Sequence, residues 1–65
     1  MNLYEIQVAA ERHEYDYISI NWYLRMAKAP DKKSAMEQVR LEEQKKAPRN
    51  VLISAGAAKC LGKAV

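Results

Sequence analysis

From Tyr17 to Met26 (YISINWYLRM) apolar and polar positions alternate almost without interruption. Ile18, Ile20, Trp22, Leu24 and Met26 form one set; Tyr17, Ser19, Asn21, Tyr23 and Arg25 form the other. Side chains on a strand point to opposite faces with period two, so the stretch predicts a half-buried strand. The apolar set is expected to face the core and the tyrosine-bearing set to stay in view.

Met1 to Ala10 alternates in the same way, with Tyr4, Ile6, Val8 and Ala10 on one side and Leu3, Glu5, Gln7 and Ala9 on the other, and reads as a first strand. A helix over residues 3–13 is the alternative. The polar link Glu11 to Glu14 lacks the Gly or Asn of a two-residue hairpin, which predicts a longer turn. After the second strand, Lys28-Ala29-Pro30-Asp31 breaks the alternation, and Asp31 is a suitable N-cap for a helix of good helix formers running to Lys46. Ala35, Met36 and Val39 give that helix a narrow apolar stripe, suited to lying across a small sheet. Pro48 ends it, and Arg49 to Ala55 predicts a third strand.

A strand, helix, strand succession usually crosses over, setting the third strand parallel to the second and antiparallel to the first if it pairs beside it. Residues 56–65 read as a short turn or frayed tail, with Gly62 as its cap. The expected fold class is α+β: one 1–65 domain, a ββαβ unit whose three-stranded, mostly antiparallel sheet carries one helix on one face. Its expected core is Tyr4, Ile6, Val8, Ile18, Ile20, Trp22, Leu24, Met26, Ala35, Met36, Val39 and part of Val51 to Ile53.

Sixty-five residues hide only about 60% of the surface of the unfolded chain, so a partner or second copy is expected to add stability. No apolar run approaches the roughly 20 residues of a membrane-spanning helix. The lone Cys60 has no internal partner, and the first residues include Glu5 and no apolar leader. Those features suit a cytoplasmic protein.

Catalytic signatures are missing. Ser19, Ser34 and Ser54 have no nucleophile motif around them, and two glycines cannot make a phosphate-cradling loop. His13 sits among Glu11, Glu14 and Asp16, but one histidine without neighbouring thiols is a poor metal set, so it reads as an exposed turn residue. The expectation is a non-enzyme without metal or cofactor.

Net charge is +3, divided unevenly: residues 1–27 carry about −2 and residues 28–65 about +5. Lys45, Lys46 and Arg49 lie where the helix dipole favours cations. Lys32 and Lys33 fall in the first turn, where it does not, and with Lys28 they would surround N–H groups able to hold an anion. A small basic nucleic-acid binder using these six residues is therefore one functional reading. The other rests on the second strand, where Tyr17, Asn21, Tyr23 and Arg25 are residue types suited to protein contact.

The passage Leu24 to Arg40 (LRMAKAPDKKSAMEQVR), a strand running into a capped, alanine-containing helix, resembles small phage or mobile-element accessory proteins. That resemblance implies a compact unit, working in the host cytoplasm if phage-encoded, that binds and disables or modulates a host protein. The leading expectation is thus a protein-binding module that inhibits or modulates a larger protein through the Tyr17, Asn21, Tyr23, Arg25 face or a strand edge; edge pairing would also give a homodimer.

Overall fold

The computed structural model describes residues 1–63 and contains β1 (Asn2–His13), β2 (Ile18–Ala29), α1 (Lys32–Lys46) and β3 (Val51–Lys63). β1 is central, in the order β2-β1-β3, and both pairings are antiparallel. β3 therefore runs parallel to β2 with β1 between them, the arrangement expected of the crossover. This is a small α+β fold. Residues 64–65, the end of the expected tail, lie outside the described residues.

The helix begins and ends where its capping residues dictate. Asp31 is extended, its carboxylate accepts from the Ser34 N–H at 2.7 Å, and its carbonyl accepts from the Ala35 N–H at 3.1 Å. At the other end the Ala47 N–H donates to the Glu43 and Gln44 carbonyls, and Pro48 stops propagation. Gln44 then does a second job. Its Nε2 donates to the Val51 carbonyl and its Oε1 accepts from the Ile53 N–H, both at 2.9 Å. One amide thus pairs with the outer edge of β3, which β1 cannot reach, and ties the helix to that strand.

β3 is longer than expected. Instead of a turn or tail, Gly56 to Lys63 continues the ladder with β1. Two register shifts let it do so: Gly56 is the extra residue between Ala55 and Ala57, and Leu61 the extra residue between Cys60 and Gly62. Bulges of this kind let a strand of small residues follow the twist of its neighbour. Gly62, at φ 127°, uses a backbone conformation that side chains disfavour.

The core lies on the helix side of the sheet and is small. Tyr4, Ile6 and Val8 of β1 meet Ala27 and Ala29 of β2, Val51 and Ile53 of β3, and Ala35 and Val39 of α1. Met36 is only partly buried. Ile6 and Val8 are the largest side chains fully enclosed.

The face assigned to β2 from its alternation is reversed. Ile18, Ile20, Trp22, Leu24 and Met26, expected in the core, are 52–60% exposed on the side away from the helix. The cause is register. β1 and β2 pair as Ile6↔Arg25, Val8↔Tyr23 and Ala10↔Asn21, so even positions of β1 share a face with odd positions of β2. The hairpin loop of residues 14–17, closed by the Glu14 N–H donating to the Tyr17 carbonyl at 2.9 Å, fixes that parity. A one-residue change in the loop would have moved every β2 side chain to the other face.

Candidate functional site, the open face of the sheet

Three of the four residues expected to form an open tyrosine face belong instead to the helix side. Val8↔Tyr23 pairing sets Tyr23 beside the core, and its hydroxyl donates to Glu43 Oε1 at 2.8 Å. Arg25 Nε approaches the other Glu43 oxygen at 3.7 Å, as does Lys46 Nζ. Glu43, with its side chain 13% exposed, is thus the hub of a polar cluster joining helix to β2. Burial pushes the Tyr23 hydroxyl above its ordinary range; the hydrogen bond from Tyr23 to Glu43 and that carboxylate's charge add to the shift, and Arg25 opposes it. Asn21 is exposed on this same side, and Tyr17 is exposed in the hairpin loop. The four residues therefore form no open platform, and two of them are spent on holding the helix down.

What the open face presents is apolar. Along β2 run Ile18, Ile20, Trp22, Leu24 and Met26, and Leu52 of β3 lies on the same side at 58% exposure. Between them β1 contributes Glu5, Gln7, Ala9 and Glu11. Trp22 reaches from β2 across β1 to β3: its ring atoms Cζ3 and Cη2 lie 2.9 and 3.3 Å from where a Cβ on Gly56 would stand. The ring shields Ala9, which is only 6% exposed although it sits on the uncovered side. Glu5, Gln7, Leu24, Ala57, Ala58 and Lys59 line a hollow of about 280 Å³.

The basic residues do not gather into one surface. Lys28, Lys32 and Lys33 lie where β2 leads into α1, whereas Lys45, Lys46 and Arg49 lie at the far end of the helix. Lys46 is close to Glu43. The anion pocket expected at the helix start is also taken by the chain itself. Asp31 occupies it, and the Ser34 N–H it accepts, helped by the Ser34 side chain and the Lys33 charge, holds its carboxyl below the usual carboxylate range.

His13 is the last residue of β1 rather than part of the turn; its Nε2 is 2.8 Å from Glu11 Oε1, and its N–H donates to the Asn50 carbonyl. Among the described residues no group of three or more His, Cys, Asp or Glu is placed to hold a metal ion, and no helix is long and apolar enough to cross a membrane. A second groove, about 520 Å³, runs between α1 and β3, with Lys32, Lys33, Met36 and Arg40 on its helix side and Ser54 and Ala55 on its strand side. Arg40 is already paired with Glu37 at 2.6 Å.

The open face was legible in part. The polar set on β1 (Glu5, Gln7, Glu11) marks the side away from the core, and Ala27 and Ala29 mark the odd positions of β2 as small enough to lie under a helix. Only the loop-defined parity joins the two strands' patterns.

Comparison of the chain with protein-family models, curated proteins and solved structures returns no match.

Proposed function

We propose that this chain is a non-enzymatic protein-binding module that docks through the open face of its sheet, with the Ile18 to Met26 stripe as the centre of the contact. The single observation behind this reading is six large apolar side chains on one side, each 52–60% exposed. At about 100 Å² for each such side chain they offer about 600 Å² of apolar surface. That is at the upper end of the largest patch on ordinary monomers, about 300–600 Å², and such patches usually mark interaction surfaces. Trp22 at the middle is the residue type most often found dominating binding energy.

A module of this size acts by occupying a surface, so modulation of its partner is the activity expected, in keeping with the resemblance of residues 24–40 to small phage accessory proteins. The exposed free thiol of Cys60 suits a reducing compartment such as the cytoplasm. The test compares the native chain with Leu24→Lys, with folding checked by circular dichroism, in affinity capture after nuclease treatment. A protein retained by the native chain and lost by the variant supports the reading. A protein held equally by both places the docking surface elsewhere, and material released by nuclease or moderate salt favours the lysine ends, because phosphate contacts are salt-sensitive.

A further inference from the structure

We infer that the partner covering the open face is a second copy of this chain, packed sheet against sheet around a two-fold axis that lies between the sheets and perpendicular to their strands, passing near Trp22. The inference rests on the docking reading and names its occupant.

The first support is the size of the core. Among the described residues ten apolar ones are buried, and four of them are alanine. A chain of this length with so little enclosed needs more burial, and duplicating the uncovered stripe supplies it. Standard stable interfaces remove about 800 Å² from each partner. The apolar stripe gives most of that, and the β1 and β3 side chains beside it extend it.

The second support is self-complementarity, which also selects the axis. An axis perpendicular to the strands lays β2 on β2 and β1 on β1 with the ends exchanged. Trp22 is the midpoint of the stripe, so Leu24 then meets the region of Ile20 on the other copy, and Met26 that of Ile18. Ala9 pairs with Trp22 across the sheet, so the same operation sets Gln7 over Glu11 and Glu5 over His13. It also brings the β2 end bearing Lys28 toward the opposite hairpin, which carries Glu14 and Asp16. An axis parallel to the strands and over β1 would instead stack Glu5 on Glu5 and Glu11 on Glu11 and oppose the apolar β2 to the small residues of β3. Like charges facing one another across a seam are costly.

Edge-to-edge pairing of β2 is the competing arrangement, since no side-chain hydrogen bond to the β2 backbone occurs among the described residues, whereas Gln44 blunts β3. That arrangement would extend the sheet but leave the apolar stripes of both copies facing water. Face-to-face packing removes them, in the manner of two sheets stacked about 10 Å apart.

The experiment is sedimentation equilibrium of the full chain over a wide concentration range, with Trp22 fluorescence as a second readout. The expected result is a dimer with blue-shifted emission that Leu24→Lys converts to a folded monomer. Gln7→Glu, which sets a new charge over Glu11, is expected to weaken the dimer several-fold, and Gln7→Lys to tighten it. A dimer insensitive to both Gln7 changes is edge-paired and overturns the face-to-face seam. A chain that stays monomeric at every concentration overturns the second copy as occupant, while the docking reading then stands or falls separately on whether Leu24→Lys abolishes capture of another protein.

Discussion

The Cζ3 of Trp22 lies 2.9 Å from the position a Cβ on Gly56 would take. The indole can reach β3 at this point only because the bulge there has no side chain. Gly56→Ala should lift the ring from Ala9 and shift the Trp22 emission to the red. The stability change is expected to stay within about 1 kcal/mol, because replacing a strand glycine offsets part of the lost contact. An unchanged spectrum would show that the glycine does not seat the ring.

Glu43 joins the helix to β2 through Tyr23 and Arg25. Tyr23→Phe should cost about 1 kcal/mol in urea unfolding, and Glu43→Ala about 1–3 kcal/mol, since it leaves the half-buried Tyr23 hydroxyl without its acceptor and removes the charge beside Arg25 and Lys46. In the double variant the two losses should not add, and a coupling energy near zero would disprove the link.

The same hydroxyl predicts an alkaline limit. Its ionisation is pushed upward in the folded chain, chiefly by burial and then by Glu43. The stabilisation is therefore complete below the ordinary tyrosine value of about 10 and is lost as pH rises through the raised one. In a tyrosinate absorbance titration Tyr23 should ionise above the ordinary tyrosine range, and Tyr23→Phe should remove that late step.

Asp31 predicts the acid side. Its carboxyl is held below the usual range by the Ser34 N–H, so its contribution is present above the unfolded value and is lost as pH falls through the depressed one. Asp31→Ala should lower the Tm at neutral pH and flatten its dependence on acid, whereas Asp31→Asn, which still accepts the N–H, should keep most of the neutral-pH stability.

Gln44 guards an edge. Gln44→Leu should release the Val51 carbonyl and the Ile53 N–H, cost about 1–3 kcal/mol and make the chain more prone to aggregate along β3. Light scattering on the folded variant checks the second effect. Native-like solubility would show that the helix, not the amide, shields the strand.

The sequence by itself determined the element order, the helix from Lys32 to Lys46 with its Asp31 cap, and the β1 and β3 contributions to the core. Those follow from local chemistry: a carboxylate that fits a free N–H, a proline that cannot continue a helix, and strands whose two sides differ in polarity. Local pattern also divided β2 into its two sets. Which set lay under the helix was a tertiary matter. Alternation is symmetric about the sheet plane, and only the parity of the pairing with β1, set by the loop at 14–17, broke that symmetry and turned Trp22 and its neighbours outward. The length of β3 was decided the same way. Its alanines and glycines have little strand preference of their own, but a long central β1 offers them a ladder of backbone partners, and two bulges keep them on it.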